Sequence, residues 1–323
     1  MNILVTGGSG MVGSLLRDYI LSLGDKNKDT YWFISSKDYD LTDKTQVELC
    51  FIERKYDRII HLAAVVGGLY MNINNNCEML IDNLKININI IEQCHKHNIQ
   101  RGIFCLSSCI YPQTPCKFPM EEETLCDGVP HNSNEGYAYA KRMLYIMCKN
   151  YNKNYNREYI CLSPVNLYGP YDNFNIKNGH VIPGLINRMH KTLNNINPYN
   201  NNIFEVYGTG IAERQFLFAP DFAIIIYKIL NSSINIHLIN VCTNKEYKIK
   251  EVVSLISKNL KFNNDKIIYN SEYSDGIIKK TVSNDLLINI MNENNINHEF
   301  IDINEGIRLT VEWFIDNSDK IRE

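Results

Sequence analysis

Along the first half of the chain, short unbroken apolar runs alternate with stretches whose apolar residues recur every three or four positions. NILVTGG opens as a buried strand, and MVGSLLRDYILSL continues with the period of a helix packed on one face. The same alternation gives strands at TYWFIS, DRIIHLA, RGIFCLS and EYICLSP, separated by helices around Lys44–Arg54, through Met79–His95 and over Tyr137–Tyr151. Strands divided by helices predict βαβ units, a parallel sheet and right-handed crossovers. From about Gly169 the pattern loosens into a loop, a helix near Val181–Lys191, a short strand (FEVYG) and a helix from Asp221. Thr243–Glu323 reads as shorter, less regular elements. The expected architecture is α/β: a doubly wound parallel sheet over residues 1–168, and a smaller C-terminal α/β lobe made mainly of 169–323. The chain crosses between them from Asn166–Gly169, and some later segments return to the first domain. Asn-rich tracts at Asn72–Asn76, Asn194–Asn202 and Asn292–Asn297 are expected to be loops, because asparagine tolerates turns and left-handed backbone.

Composition narrows the classes. A chain of 323 residues can bury its own core without disulfide or metal staples. A net charge of −3 offers no broad basic field, which argues against a nucleic-acid partner. Apolar stretches such as Phe222–Tyr227 are far too short to span a membrane. Asn2 already begins a strand, with no basic segment ahead of it, so no signal peptide is expected. Ten cysteines without a C-x-x-C pair read as reduced thiols, not as a disulfide framework or a zinc site. The expectation is a cytoplasmic globular protein with no metal.

The first strand ends in Thr6-Gly7-Gly8-Ser9-Gly10-Met11-Val12-Gly13, which also opens the first helix. In that setting Gly7 permits a tight turn, Gly10 lets backbone approach a pyrophosphate, and Gly13 lets helix and strand pack closely. The free N–H groups at the helix start, at Met11 and Val12, then face the phosphates along the helix dipole. This predicts a Rossmann-type dinucleotide site, in the G-x-x-G-x-x-G variant. At the end of the second strand an acid would grip a ribose 2′-hydroxyl and a base would suit a 2′-phosphate. The residues there are Ser35-Ser36-Lys37, with no acid before Asp38, so Ser36 and Lys37 predict NADP(H).

Tyr137 and Lys141 are four residues apart near the start of a predicted helix and share one face. An ammonium beside a phenol favours the phenolate, which would bring the tyrosine toward useful acid–base chemistry. Ser107 closes the fourth strand, at the sheet edge where α/β ligands bind, and its hydroxyl can hydrogen-bond a substrate carbonyl.

With these motifs in this order the chain resembles the extended short-chain dehydrogenase/reductase family, whose members use a Ser–Tyr–Lys set with NAD(P). The resembling segments are GGSGMVG, SSKDYDLTD, HLAAVVGGLYMN, SSCIYP, YAYAKRM, NLYGPYDNF, GHVIPGLI and VYGTGIAERQFLF, with a weaker echo at SDGIIKK. The resemblance implies NADPH-dependent 3,5-epimerisation and 4-reduction of GDP-4-keto-6-deoxy-D-mannose. It assigns Ser107, Tyr137 and Lys141 to reduction, and Cys109 and His180 to epimerisation, with Cys109 leaning to base and His180 to acid. It also implies that Leu62, Ala63, Ala64, Pro164, Asn166, Leu167, Lys141 and His180 line the cofactor. Arg188, Tyr207, Arg214, Asp275 and Lys280 would then hold the GDP-sugar, Tyr207 standing where relatives commonly carry Trp. By the same resemblance two copies pair through the helices at Met79–His95 and Tyr137–Tyr151. A 4,6-dehydratase would carry an Asp-Glu pair where this chain has Ser108-Cys109. The alternatives kept open are a nucleotide-sugar 4-epimerase with retained NAD and a non-catalytic NADP-sensing protein.

Overall fold

Ile3, Leu4 and Val5 have no polar alternation because both faces of their strand, β1 (Asn2–Thr6), are covered. The computed structural model describes residues 1–176, 178–194, 203–319 and 321. Helix α1 (Met11–Ser22) returns the chain to β2 (Thr30–Ile34), which lies parallel to β1. Helix α2 (Lys44–Ile52) starts where the Asp43 carboxylate accepts the Thr45 N–H, and it leads to β3 (Arg58–His61) on the other side of β1. Helices α3 (Leu69–Asn74) and α4 (Asn76–Lys96) precede β4 (Arg101–Cys105), and α5 (Glu135–Tyr155) precedes β5 (Glu158–Pro164).

Beyond the sheet run β6 (Asn166–Tyr168), α6 (Val181–Leu193), β7 (Phe204–Tyr207), β8 (Glu213–Arg214) and β9 (Phe216–Phe218). They are followed by α7 (Ala219–Leu230), β10 (Leu238–Val241), β11 (Tyr247–Lys248) and α8 (Ile249–Leu260). The last elements are β12 (Ile267–Asn270), β13 (Lys279–Lys280), α9 (Asp285–Glu293) and α10 (Ile303–Asp316).

Six strands form one parallel sheet in the order β10-β5-β4-β3-β1-β2. The chain leaves β1 to one side for β2 and to the other for β3, so a crevice opens at the carboxyl ends between β1 and β3. Two apolar clusters result. The larger surrounds the sheet and includes Phe222 and Ile226 of α7, Leu238 of β10 and Leu287 of α9. The smaller joins Tyr168, Phe174, Ile186, Phe204, Val253 and Phe314.

One buried amide ties the clusters together. Gln215, between β8 and β9 and 2% exposed, donates to the carbonyls of Thr243 and Val282, each at 3.0 Å. Its Oε1 accepts from Val282 N at 2.8 Å, and its own carbonyl accepts from Asn166 Nδ2 at 2.9 Å.

The Asn72–Asn76 tract departs from the loop expected there. It is helical, with a break only at Asn75, because buried Asn72 donates to the carbonyls of Gly67 and Gly68 and so fastens the preceding turn. Asn292 lies in α9, and the chain leaves that helix through Asn295 in a left-handed conformation. Of the third tract, all but Asn194 lies outside the described residues.

Fully buried Asn83 acts on the same loop, accepting from Val65 N at 2.9 Å and donating to Val65 O at 3.0 Å. Asn83→Ala strands both backbone groups. It is expected to cost about 2 kcal/mol, read as a lower urea midpoint at unchanged slope.

Candidate active site

At the end of β1 the chain turns through Gly7, whose φ of +69° is a left-handed conformation; a Cβ there would stand 2.8 Å from Ala63 N. A Cβ on Gly13 would stand 2.5 Å from the Gly7 carbonyl, so only glycine allows helix and turn this close. Gly10 caps α1 with extended backbone, no side chain covers the first helical N–H groups, and no acid lies in the first turn. The N–H groups of Met11, Val12 and Gly13 therefore have no helical acceptor and suit a diphosphate.

After β2, Asp38 is turned back onto its own loop and accepts from Ser35 N at 2.7 Å and Ser35 Oγ at 2.8 Å. These bonds hold its carboxyl below the usual value. Ser36 and Lys37 are left exposed, and among the described residues Lys37 has no acidic partner. Sequence reasoning passed over Arg17, which donates to Gly8 O at 3.3 Å and stacks 4.7 Å from the Phe33 ring centre, a second cation beside this turn.

Ser107 follows β4 and caps a short 3₁₀ turn (Ser108–Ile110), its Oγ accepting from Cys109 N at 3.3 Å. Opposite it, the start of α5 is pinned to α4: Gly136 N donates to Asn76 Oδ1 at 2.6 Å, and a Cβ on Gly136 would stand 2.1 Å from Asn76 O. That junction sets Tyr137 and Lys141 against the end of β4. Lys141, 1% exposed, donates to Cys105 O at 2.7 Å, and its Nζ lies 5.8 Å from the Tyr137 ring centre.

The electrostatics correct one expectation. Burial, with Cys109 and Cys105 behind it, pushes the Tyr137 phenol well above its ordinary pKa, and the Ser107 hydroxyl opposes this only in part. Burial also lowers the Lys141 ammonium. Lys141, aimed at the Cys105 carbonyl, is not among the groups that act on the phenol. Tyr137 therefore keeps its proton at neutral pH and is a donor.

A chain of fixed polarity runs beneath these groups. Ala63 N donates to Thr6 Oγ1 at 3.2 Å, and Thr6 Oγ1 lies 2.8 Å from His61 Nδ1, to which it donates when the neutral ring carries its proton on Nε2. His61 Nε2 then donates to Asn87 Oδ1 at 3.2 Å, and Asn87 Nδ2 donates to Ala140 O at 3.3 Å, one residue before Lys141. Burial, with Lys141 nearby, pushes the His61 ring down to about 3, which keeps it neutral.

Cys109 and Lys280 line one pocket with Met120 and His131. Burial pushes the Cys109 thiol up, but the Lys280 charge, with the polar side chains of Ser107 and Asn134 nearby, outweighs it, and the thiol lies below its ordinary value. His180 caps α6, and the preceding turn is held where Gly68 N donates to Asn178 O at 2.9 Å. The residue as a whole is exposed, but protein atoms crowd its ring, and that desolvation lowers its pKa. Among the described residues it makes no hydrogen bond with Cys109.

Leu62, Ala63 and Ala64 follow β3, and Pro164, Asn166 and Leu167 follow the same sheet edge at the end of β5 and in β6. In the second cluster the Arg188 guanidinium lies 4.3 Å from the centre of the Tyr207 ring and donates to Glu205 O. Tyr273, which nothing in the sequence singled out, packs its ring centre 4.3 Å from that of Tyr207, leaving Tyr207 47% exposed. Asp275 accepts from Thr209 N at 2.8 Å and Thr209 Oγ1 at 2.6 Å, bracing the loop after β7. Burial lowers the Arg214 pKa and Asp275 raises it, within a range where a guanidinium stays charged.

Residues 3–242 match the family model described as the NAD dependent epimerase/dehydratase family. A probable GDP-L-fucose synthase of Drosophila melanogaster is 36% identical over 99% of both chains. A GDP-L-fucose synthase of Dictyostelium discoideum is 36% identical over 99% of this chain and 97% of its own. The crystal structure of a GDP-L-fucose synthetase from Naegleria fowleri bound to NADP is 33% identical, with a TM-score of 0.88 over 100% of this chain and 95% of that one.

Gly13→Ala places a methyl group against the Gly7 carbonyl and spreads the turn. Fluorescence titration is expected to show dinucleotide binding weakened at least about tenfold, or ~1.4 kcal/mol of lost anion–dipole attraction, with the far-UV circular dichroism unchanged.

Proposed function

The chain belongs to the NAD dependent epimerase/dehydratase family, and from that premise we propose that it converts GDP-4-keto-6-deoxy-D-mannose to GDP-L-fucose with NADPH. Carbons C3 and C5 are epimerised first, and C4 is then reduced. The observation that carries this reading is a thiol, Cys109, two residues from Ser107 and in electrostatic contact with Tyr137. A plain reductase needs only the Ser–Tyr–Lys set; protons leaving and returning beside a carbonyl need further acid–base groups. The names of the full-length relatives favour it over a 4-epimerase with retained NAD and over a catalytically silent NADP sensor.

In this reading residues 1–168 hold the cofactor and 169–323 mainly hold the GDP-sugar. The N–H groups of Met11–Gly13 take the diphosphate, Ser36 and Lys37 the 2′-phosphate, and Lys141 the nicotinamide ribose. Bound NADPH supplies the hydride for C4. Cys109 removes a proton from a carbon beside the C4 carbonyl, and His180 returns one from the other face. A lowered pKa makes the His180 imidazolium a stronger acid, although less of it is present at neutral pH. Ser107 polarises the C4 oxygen, and Tyr137, still carrying its proton, donates it as reduction proceeds. Arg188, Tyr207 and Asp275 organise the nucleotide end, while Arg214 and Lys280 bring positive charge toward the diphosphate.

The reading also includes pairing of two copies through α4 and α5, supported by the exposed side chains of Ile81, Ile88 and Met143. It includes a cytoplasmic location, supported by ten unpaired cysteines. No helix among the described residues is long and apolar enough to cross a membrane.

Purified protein is expected to oxidise one NADPH per GDP-4-keto-6-deoxymannose, with product inverted at C3 and C5. Tyr137→Phe is expected to slow that oxidation ~100-fold or more while leaving NADPH affinity nearly unchanged. Oxidation without inversion would leave only a reductase. For the pairing, sedimentation velocity at micromolar concentration should give a dimer, and a monomer would exclude it.

A further inference from the structure

Burial pushes Tyr137, Lys141, His180 and Cys109 alike toward their neutral forms, but at Cys109 other groups outweigh it. The side chain opposing burial there comes from the far end of the chain. Strand β13 pairs in parallel with β8, setting Lys280 opposite Arg214. The residues that follow are clamped to the segment beyond Cys109: Met120 N donates to Thr281 O at 2.9 Å, and Ser283 N donates to Met120 O at 2.8 Å. The neighbouring Lys279 is committed elsewhere, ion-paired with Glu246 and, at 3.5 Å, with Glu213. Lys280 has no carboxylate partner among the described residues and lines the pocket that Cys109 also lines.

We propose that Lys280 is a positioning residue for the epimerisation half of the reaction, its ammonium set in the pocket it shares with Cys109 to favour negative charge on the sulfur that accepts a proton from the sugar. This rests on the proposed function, where Cys109 is the base, and gives Lys280 a task beyond contact with a diphosphate. In the step, the C–H bond beside the carbonyl breaks and an S–H bond forms. The electron pair moves onto the C4 oxygen, which the Ser107 and Tyr137 hydroxyls face; reprotonation of the carbon from the other side restores the ketone.

The groups around the sulfur agree. Burial raises the thiol, and Lys280, through its charge with help from Ser107 and Asn134, brings it below its ordinary value. Arg214 of β8 adds positive charge from farther off. Tyr137 of α5 is neutral. Burial, then Lys280 and Arg214, lowers the His131 imidazole, so it too is neutral at pH 7.

The test is alkylation of Cys109 by iodoacetamide in the full chain, followed by peptide mass spectrometry between about pH 5 and pH 10. Removing a partner cation shifts a titration by about one unit or more. Lys280→Met should therefore move the alkylation midpoint upward by about that amount, so that reaction near neutral pH slows about tenfold, while Lys280→Arg stays near the parent. If Lys280→Met does not fold, Lys280→Gln gives the same comparison. An unmoved profile overturns the proposal, even if the Michaelis constant for the GDP-sugar rises, because Lys280 would then be a diphosphate contact only. Failure of the underlying reading shows elsewhere. If Cys109→Ser still incorporates solvent deuterium into the keto sugar at the parent rate, Cys109 is not the base, whatever its titration.

Discussion

A buried primary amide must satisfy three hydrogen-bonding sites or lose stability for each one left empty. Gln215 satisfies them with backbone groups of two distant segments, while its own carbonyl takes Asn166 Nδ2. Those partners are the chain leaving β10, the chain leaving β13, and the crossover out of β5. One side chain thus ties three separate segments together, alongside the β6–β9 and β13–β8 pairings. The cleft depends on that, because its residues come from separate segments: Ser107, Tyr137 and Lys141 beside the sheet, Arg214 from β8 and Lys280 from β13. A floppier joint would leave the individual elements intact and the chemistry dispersed.

Within the cleft one physical effect, removal from water, acts on groups of opposite charge type. It raises the Tyr137 phenol and lowers the Lys141 ammonium and the His180 imidazole, in each case favouring the uncharged form. Specific partners decide where the rule is broken. Lys141 meets a carbonyl dipole, and Cys109 meets a full positive charge. In the proposed reaction this would separate the proton donor to oxygen, Tyr137, from the group that takes a proton from carbon, Cys109.

What could be read from the sequence follows the distance over which each feature is determined. The glycine turn and the Tyr137–Lys141 spacing are local, and both stand where the residue pattern put them. The titration of Tyr137 did not follow from spacing, because four residues of helix bring Lys141 near without saying that the phenol is buried or that the ammonium donates to Cys105 O. Asn72 departs from expectation for a related reason: asparagine tolerates turns, but here its buried amide donates to the carbonyls of Gly67 and Gly68 at the start of a helix. Lys280 beside Cys109, Tyr273 on Tyr207 and Arg17 beside the phosphate turn depend on tertiary packing and leave no periodic trace in the chain. Lys280 was legible as a cation for a diphosphate, not as a neighbour of sulfur.

The bond from Lys141 to Cys105 O has a further effect, concerning disorder. A free lysine side chain explores many rotamers, and fixing it costs about 1.5–2 kcal/mol. Here the tether to β4 imposes that loss when the polypeptide folds. A ligand reaching the remaining N–H donors of Lys141 meets a group that is already immobile, and more of the contact energy appears as affinity.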